Sequence, residues 1–259
     1  MRRCAKLCVT LCNHHQKTNA TFAPTLNPQM HNIKVIIPAY NEAHSIALVI
    51  NEIPSIVNEI IVVNNNSTDK TAEMAQMAGA TVLFQPQMGY GYACLKGMEY
   101  VSTLSEKPEI IVFMDGDYSD YPEDLIQIIT PILEENIDFV LGSRVKRLQE
   151  KGSMTPQQHF GNWLATFLMR ILFGARFTDL GPFRAIKYQK LLDLEMQDKT
   201  YGWTIEMQLK ALKQNLTYTE IPVKYKKRIG VSKVSGTIKG SIFAGVKILG
   251  WIFKYSFKK

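Results

Sequence analysis

The chain has 259 residues, enough for one sizeable α/β domain with a core, and its 46% hydrophobic and 20% charged content is ordinary for a globular protein. Three of the four cysteines lie in the first twelve residues at intervals of four, which argues against a disulfide framework or a common zinc site and favours a reducing cytosol. The net charge of +7 is uneven: residues 221–259 contain ten Lys or Arg and no Asp or Glu, which predicts an anionic partner such as a membrane surface, phosphates or nucleic acid.

The first segment, residues 1–30, shows no periodic apolar pattern and is rich in Thr, Asn, Gln and Pro. Its apolar stretch is short and is interrupted by Lys6 and Asn13, so it does not read as a signal peptide. We expect a disordered extension that does not join the fold. The remaining chain divides into one domain over 31–236 and a basic amphipathic helix over 237–259.

Strand-like and helix-like segments alternate through the first half of the domain. The predicted strands are 34–38, 59–63, 80–84, 110–114 and 139–142, and the predicted helices are 41–57, 67–78, 92–104 and 122–135. Ser67 or Thr68 is the expected cap of the second helix. This alternation predicts an α/β fold with a mainly parallel sheet and helices on both faces.

The second half is less regular. We predict helices at 160–173 and 204–214, a loop at 179–184, a strand at 218–223, a basic loop at 224–236 and a final helix at 237–257. No internal repeat or low-complexity linker divides the chain, which favours a single domain.

The most informative segment is IIVFMDGDYSD at 110–120, an apolar run that stops at three carboxylates. Asp115 and Asp117 are two residues apart just past the strand, at the edge where open α/β sheets bind ligands. Two such carboxylates could share one hard divalent cation, which would neutralise a diphosphate. A solvated turn is the alternative for the tripeptide alone, since Asp and Gly are turn formers.

Polar clusters also follow the other strands. Each is by itself compatible with an ordinary turn or an exposed side chain. Tyr40 and Glu42 could contact a nucleoside, Gly89 and Gly91 could let a ligand approach a helix N-terminus, and Arg144 could bind a diphosphate with two donors. Because the carboxyl ends of parallel strands meet at one edge, we expect these clusters to form one site.

Together these segments resemble the family 2 glycosyltransferases, most closely the branch containing dolichyl-phosphate mannosyltransferase and related polyprenyl-phosphate glycosyltransferases. The resemblance spans about residues 33–236. It rests on VIIPAYNE at 35–42, VVNNNSTD at 62–69, DGD at 115–117 and LGSR at 141–144, in that order, with TDLGPFRA at 178–185 and RIGVSK at 228–233 matching acceptor-side segments.

The resemblance implies a GT-A fold and a nucleotide-sugar donor of the GDP-mannose or UDP-glucose type. It also implies Mg²⁺ or Mn²⁺ as cofactor and inversion at the anomeric carbon. The implied donor-binding residues are Pro38, Tyr40, Glu42, Asn64, Asn65, Gly89, Asp115, Asp117 and Arg144. The implied metal-site residues are Asp115, Asp117 and Ser119, and the implied acceptor or phosphate contacts are Arg228, Ser232 and Lys233.

The chain departs from the family pattern at three of these positions. Asn64 and Asn65 stand where the family usually has Asp, which removes charge and adds a donor. Ser119 stands where glutamine is common, which puts the strength of the metal site in question. The Gln-x-x-Arg-Trp motif of processive synthases is absent, so the chain is expected to transfer a single sugar.

The acceptor decides whether a catalytic base is needed. A polyprenyl phosphate is already ionised near neutral pH and needs only alignment, whereas a hydroxyl acceptor requires a carboxylate base. Asp179 and Glu206 are the candidate bases, and either could instead be structural. The expected catalytic set is therefore Asp117, Arg144, Asp179, Glu206 and Arg228.

The final helix bears on the partner. Lys239, Lys247, Lys254 and Lys258 fall within about a 100° arc, with apolar residues mainly opposite, and lysines interrupt every stretch long enough to span a bilayer. This pattern predicts a helix that lies in the membrane interface, and so peripheral attachment at the cytoplasmic face without a spanning helix. Such attachment agrees with the lipid-linked acceptor that the resemblance implies. The alternative is a helix packed on the domain with its lysines in water.

Three other functions compete with this one. A nucleotidyltransferase would commonly carry a glycine-rich basic loop after its first strand, where this chain has PAYNE. A non-catalytic sugar-nucleotide or lipid-binding protein is compatible with the departures at Asn64, Asn65 and Ser119. Nucleic-acid binding is disfavoured, because the aromatic residues of the basic tail follow a helical apolar pattern.

Overall fold

The computed structural model describes residues 31–230 and 238–257. The extension predicted at 1–30 lies outside the described residues. So does 231–237, which contains Ser232 and Lys233, two of the predicted phosphate contacts.

One seven-stranded sheet organises the chain, in the order β3-β2-β1-β4-β6-β5-β7. Its strands are β1 Ile33–Ala39, β2 Glu59–Asn64, β3 Thr81–Phe84, β4 Ile110–Phe113, β5 Phe139–Ser143, β6 Arg184–Lys187 and β7 Tyr218–Pro222. Pairing is parallel except at β6, which runs antiparallel to both β4 and β5. The predicted mainly parallel α/β sheet is confirmed.

Helices cover both faces of the sheet. They are α1 Ile46–Glu52, α2 Thr71–Met77, α3 Tyr90–Thr103, α4 Leu125–Glu134, α5 Pro156–Phe173, α6 Tyr188–Asp193, α7 Trp203–Lys213 and α8 Ile238–Phe257. Helices α1, α2 and α4 pack in one buried cluster, and α3 and α5–α8 pack in the other. Strand residues alternate between the two clusters, with Ile36 and Phe113 on one side and Ile37 and Val112 on the other.

Helices α1 and α2 are shorter than predicted because the loops before them bond to each other. The Asn41 backbone N–H donates to Ser67 Oγ (3.0 Å), and the Thr68 N–H donates to Asn41 Oδ1 (2.8 Å). The predicted cap at Ser67 or Thr68 is therefore wrong: α2 begins after Lys70, and no side chain caps it. Local sequence favoured a cap, but these polar side chains join the strand-end loops instead.

The second half contains two elements that periodicity did not predict, β6 and α6. Strand β6 is only four residues long and carries Arg184 and Lys187, so it lacks the apolar run expected of a strand buried between two neighbours. Helix α5 also starts four residues earlier than predicted. Its first turn holds a capping box, in which Thr155 Oγ1 accepts from the Gln158 N–H and Gln158 Oε1 accepts from the Thr155 N–H.

The last helix is part of the domain core. In α8, Trp251, Ile252 and Tyr255 are buried in the cluster that also contains α3, α5 and α7. Among the described residues, no helix has the length and apolar character needed to cross a bilayer.

We predict that Phe113→Ala lowers the free energy of unfolding by about 3–5 kcal/mol. Phe113 is fully buried in β4 and meets the Trp203 ring edge-on, with the ring centroids 5.8 Å apart. Urea denaturation followed by circular dichroism measures the change. Phe84→Ala is the matched control, because Phe84 ends β3 with 58% of its surface exposed. Equal losses in the two variants would contradict this account of the core.

Candidate active site

A cavity of about 590 Å³ opens at the carboxyl edge of the sheet, where the polar clusters after β1, β2, β4 and β5 were expected to meet. The structure brings most of them together. The predicted site residues that line the cavity are Pro38, Tyr40, Glu42, Asn65, Gly89, Asp115, Asp117, Arg144 and Arg228. Asn64, Ser119, Asp179 and Glu206 are not among its lining residues.

Asp117 is the most constrained carboxylate of the cavity. One oxygen accepts from the Ser119 backbone N–H (2.9 Å) and from Ser119 Oγ (2.6 Å), so Ser119 orients Asp117. The other oxygen lies 2.8 Å from an Arg228 guanidinium nitrogen. The same nitrogen lies 3.3 Å from Glu42 Oε1, so one arginine joins the motifs after β1 and β4.

Arg228 is held in place by its own backbone. The segment around it pairs with the loop after β4: the Lys226 N–H donates to the Ser119 carbonyl, and the Ile229 N–H donates to the Asp117 carbonyl, each at 2.9 Å. These bonds anchor the backbone of Arg228 beside the acidic loop, and the ion pairs with Asp117 and Glu42 hold its guanidinium there.

Negative charge accumulates at this edge. Burial, followed by the charge of Asp117, raises the pKa of Asp115 to about 7, although Arg228 acts in the opposite direction. Asp120 is buried without a hydrogen-bond partner for either oxygen, and burial and the two neighbouring aspartates raise its pKa well above the ordinary range. The loop after β4 thus holds more carboxylate than its arginine neighbours neutralise.

The donor set suits a hard divalent cation, because carboxylate and hydroxyl oxygens are its preferred ligands. Asp115 and Asp117 are the residues that could hold it, with Ser119 behind Asp117. In the described part of the chain, no group of three or more His, Cys, Asp or Glu side chains is arranged to hold a metal. A diphosphate would therefore have to supply some of the remaining ligands.

Arg144 and Asp179 form a buried, two-pronged ion pair. Arg144 donates from Nε and Nη2 to the two Asp179 oxygens at 2.8 and 2.7 Å, and its backbone N–H also reaches Asp179. Burial acts to raise the pKa of Asp179, but Arg144 outweighs it and holds that pKa below the ordinary value. An ionised carboxylate engaged in this way is a weak base, so the structure argues against Asp179 as the catalytic base.

Glu206 is also occupied. Its side chain is fully buried near the start of α7, where it accepts from the Gln197 and Asp198 backbone N–H groups and pairs with Lys210 at 2.9 Å. Because Glu206 does not line the cavity, the structure gives it a structural role: it shapes the turn before α7. The sequence analysis allowed a structural role for Glu206 but could not identify the backbone N–H groups that it binds.

Asn65 uses its amide to build the cavity wall. Nδ2 donates to the carbonyls of Gln85 (3.1 Å) and Gln87 (2.6 Å), and Oδ1 accepts from the Gly89 N–H (2.8 Å). An aspartate could accept from Gly89 but could not donate to the two carbonyls. Asn64 also bonds to a nearby backbone group, since its Oδ1 accepts from the Ser67 N–H at 3.0 Å.

The two glycines at the start of α3, Gly89 and Gly91, are required by a neighbouring segment. A Cβ at Gly89 would overlap the Lys199 carbonyl, and one at Gly91 would overlap the Asp198 carbonyl. Gly89 also has a φ of +151°, which side chains rarely adopt. We expected these glycines to admit a ligand. The structure shows that they admit the turn at 198–200, although Gly89 also lines the cavity.

Several cavity residues escaped the sequence analysis because they come from distant segments. Gln157, Gln158, Gly161 and Asn162 come from α5, and Thr200, Tyr201, Thr204, Ala244, Gly245 and Ile248 come from the 198–204 region and α8. The buried Arg184 was also missed. It donates to the carbonyls of Pro182, Leu180, Gly181 and Thr204, and so fixes the loop before β6. The capping-box pattern TPQQ was the one local signal that α5 begins beside the site.

Comparisons with known proteins point to one family. The model described as glycosyl transferase family 2 matches residues 34–195. An uncharacterized glycosyltransferase of Mycobacterium tuberculosis is 32% identical, over 82% of this chain and 94% of its own length. An undecaprenyl-phosphate mannosyltransferase of Micrococcus luteus is 28% identical, over 85% of this chain and 93% of its own.

Solved structures share the fold. Glucosyl-3-phosphoglycerate synthase from Mycobacterium tuberculosis superimposes with a TM-score of 0.70 at 20% identity, covering 88% of this chain and 80% of that one. That structure is a complex with Mn²⁺, UDP and phosphoglyceric acid, and another of the same enzyme holds Mg²⁺ and UDP. The expected GT-A architecture is thereby confirmed. The metals in those complexes agree with the cofactor expected from the paired aspartates.

We predict that Asn65→Asp lowers the free energy of unfolding by about 1–3 kcal/mol, because it leaves the Gln85 and Gln87 carbonyls without their buried donor. The chain offers a neighbouring control in Asn66→Asp, since Asn66 is exposed. Urea denaturation of both variants measures the difference. A stability of Asn65→Asp equal to that of Asn66→Asp would show that the Asn65 amide does not support the loop.

Proposed function

This chain belongs to glycosyl transferase family 2, and we propose that it transfers a single sugar, with inversion, from a UDP- or GDP-sugar to a polyprenyl phosphate at a membrane surface. The observation that carries the proposal is the mixed lining of the cavity, which includes the charged Asp115, Asp117 and Arg228 as well as Ala244, Gly245 and Ile248 of α8. We propose that the charged residues form the donor end and the α8 residues the acceptor end. Charged groups suit a diphosphate donor, and apolar walls suit a lipid.

The charged end accounts for donor binding. A divalent cation held by Asp115 and Asp117 would neutralise the donor diphosphate and help it depart. Tyr40 and Asn65 line the cavity on the β1–β2 side, where the nucleoside would lie. Asn65 has both amide protons engaged, so it can offer a base only the remaining acceptor capacity of Oδ1.

Arg228 would act on the leaving group. The diphosphate becomes more negative as the glycosidic bond breaks, so a fixed guanidinium stabilises the transition state more than the bound donor. The backbone pairing of Lys226 and Ile229 with the loop after β4 holds that guanidinium in position. Arg144 would not act on the leaving group directly. Because it is paired with Asp179, it would support the cavity wall and contribute positive charge behind the site.

The carboxylates of the cavity favour a phosphate acceptor. Among the described lining residues they are Glu42, Asp115 and Asp117, and each faces Arg228 or the expected metal position. Asp179 and Glu206, the candidate bases for a hydroxyl acceptor, are engaged elsewhere. A polyprenyl phosphate needs no base, because its attacking oxygen is already ionised near neutral pH.

The helices that wall the cavity carry an apolar face on their outer sides. On α5, the Trp163 ring stacks on Phe167 with centroids 5.5 Å apart and lies 5.9 Å from Phe160. The exposed apolar residues of the two helices are Phe160, Trp163, Phe167, Ile171, Leu172, Phe243, Val246, Phe253 and Phe257, here called the α5–α8 face. Exposed apolar groups concentrated on two adjacent helices are typical of an interaction surface.

An anionic bilayer is the partner that suits this face. Arg170 on α5 and Lys254 on α8 are exposed on the two helices that carry this face, and the chain is basic overall. Aromatic and aliphatic side chains would enter the lipid interface while basic side chains meet anionic headgroups. This arrangement would put the apolar end of the cavity close to the lipid chain of the acceptor, at the cytoplasmic face.

A hydroxyl acceptor is the second candidate. The structural neighbour named above is a glucosyl-3-phosphoglycerate synthase crystallised with phosphoglyceric acid, which has a phosphate as well as a hydroxyl. Such an acceptor would require a cavity carboxylate to serve as base, in addition to holding the donor.

We predict Mn²⁺- or Mg²⁺-dependent transfer from a UDP- or GDP-sugar to a polyprenyl phosphate. The assay screens labelled donors against a long polyprenyl phosphate and 3-phosphoglycerate, and detects labelled lipid or labelled glycosyl-3-phosphoglycerate. Asp117→Ala should abolish transfer while its circular dichroism spectrum stays unchanged. Labelled 3-phosphoglycerate without labelled lipid would refute the lipid acceptor, and full activity of folded Asp117→Ala would refute the metal assignment.

We also predict that the α5–α8 face binds vesicles containing anionic phosphatidylglycerol. Replacing Phe160 and Trp163 together by Ala should weaken binding about tenfold or more, since each aromatic group removes apolar area from the interface. Co-sedimentation measures the bound fraction. Met77→Ala is the control, because Met77 on α2 is 75% exposed but lies on the opposite side of the sheet. If the control loses as much binding as the double variant, this face is not the docking surface.

A further inference from the structure

Asp198 joins two walls of the cavity through the two oxygens of one buried carboxylate. Oδ1 accepts from the backbone N–H groups of Thr200 (2.7 Å) and Gly202 (3.1 Å). Oδ2 accepts from Trp251 Nε1 (2.6 Å) and lies 3.1 Å from Lys247 Nζ, both on α8. Its side chain is fully buried. Burial acts to raise the pKa of Asp198, but these partners hold it below the ordinary value.

Each oxygen serves a different side of the cavity. The turn bound by Oδ1 leads into Thr200, Tyr201 and Thr204, and the helix bound by Oδ2 contributes Ala244, Gly245 and Ile248; both sets line the cavity. The approach is close, because a Cβ on Gly202 would overlap the Trp251 indole.

The same turn also contacts the donor side. The Tyr92 N–H donates to the Lys199 carbonyl (3.0 Å), and the Gly91 N–H donates to the Thr200 carbonyl (3.3 Å). Helix α3, which begins beside the nucleoside side of the cavity, therefore rests on the turn that Asp198 shapes. The turn is a shared wall between the donor end and α8.

Asp198 is also the polar anchor of α8. Among the described side chains of this helix, those of Trp251 and Lys247 are the ones that donate to another element, and both donate to Asp198. Residues 247 and 251 are four apart and lie on one side of the helix. The other buried contacts of α8 are apolar and non-directional, so they tolerate small shifts in its axial position and rotation.

We propose that Asp198 is a positioning residue that fixes the register of α8 against the 198–204 turn, and thereby sets acceptor affinity without contacting either substrate. The proposal rests on the proposed function only in naming the acceptor. The glycosyl acceptor enters beside α8, whereas the donor binds at the Asp115–Asp117 end. Loss of the carboxylate would widen or displace the α8 wall and leave the metal and diphosphate ligands in place.

The kinetic test compares Asp198→Asn and Trp251→Phe with Asp138→Asn. Trp251→Phe removes the N–H donor but keeps an aromatic ring, and Asp138 is a matched carboxylate that accepts from Thr217 and Lys187 and does not line the cavity. Both test variants should raise the acceptor KM about tenfold, which corresponds to about 1.4 kcal/mol. In Trp251→Phe, which leaves the bonds of Asp198 Oδ1 to the turn intact, the donor KM should stay within about twofold, and Asp138→Asn should change neither value. An unchanged acceptor KM in folded variants, or an equal rise in both KM values of Trp251→Phe, would overturn the proposal.

Hydrogen exchange tests the coupling without any acceptor. Asp198→Asn should accelerate amide exchange in 198–204 and in 243–256 together, relative to the wild type and to Asp138→Asn. Faster exchange in the turn with α8 unchanged would show that the carboxylate serves the turn alone, and would refute the proposal. If the wild-type enzyme uses a hydroxyl acceptor instead of a lipid phosphate, the KM comparison is made with that acceptor. In that case the proposed lipid acceptor is refuted, but the KM comparison still tests the role of Asp198.

Discussion

Concentrated negative charge after β4 is the constraint around which the site is organised. Asp115, Asp117 and Asp120 lie within six residues at one sheet edge, and burial makes their charges costly. Two arginines from distant parts of the sequence offset some of this charge. Arg228 pairs with Asp117 and Glu42, and Arg144 contributes positive charge from its pair with Asp179. Burial, followed by the charge of Asp117, raises the pKa of Asp115, and a divalent cation held there would favour the ionised carboxylates.

Sequence reasoning succeeded where one topological rule decides the outcome. Alternating strands and helices predict a parallel sheet, and the carboxyl ends of its strands must share an edge, so Tyr40, Asp117 and Arg144 could be brought together from sequence. It failed where a side chain's partner lies far along the chain. Asp179 and Glu206 are carboxylates near apolar elements, as a base would be. Their partners Arg144, for Asp179, and the Gln197 and Asp198 backbone N–H groups, for Glu206, emerge only from the fold. Strand β6 was missed for a related reason, since the buried charge of Arg184 is offset by carbonyls from the loop before β6 and from the first turn of α7.

The positions at which the chain departs from the family pattern change the hydrogen bonding of the site as well as its charge. Replacing an aspartate by Asn65 removes a negative charge, but it also supplies the two donors that hold the Gln85–Gln87 segment. The site therefore loses some electrostatic repulsion near the donor and gains a rigid wall. Ser119, which stands where glutamine is common in the family, is a second departure that changes hydrogen bonding. Its short hydroxyl bonds the Asp117 oxygen from behind and orients the carboxylate, where a longer side chain could instead reach a cation directly.

Helix α8 shows why a periodic charge pattern is ambiguous. Its lysines predicted a solvent- or lipid-facing stripe, yet Lys247 turns to the buried Asp198, while Phe243, Val246 and Phe253 remain exposed. The helix thus has two apolar sides, one in the core and one outside, and Lys247 and Lys254 lie between them. A helix with this arrangement can bind a lipid surface while staying in register with the active site. Since Asp198 contacts both α8 and the turn beside the donor, a shift of the helix at a membrane would be transmitted to the cavity through one carboxylate. These contacts connect the outer helix α8 to the turn that lines the cavity.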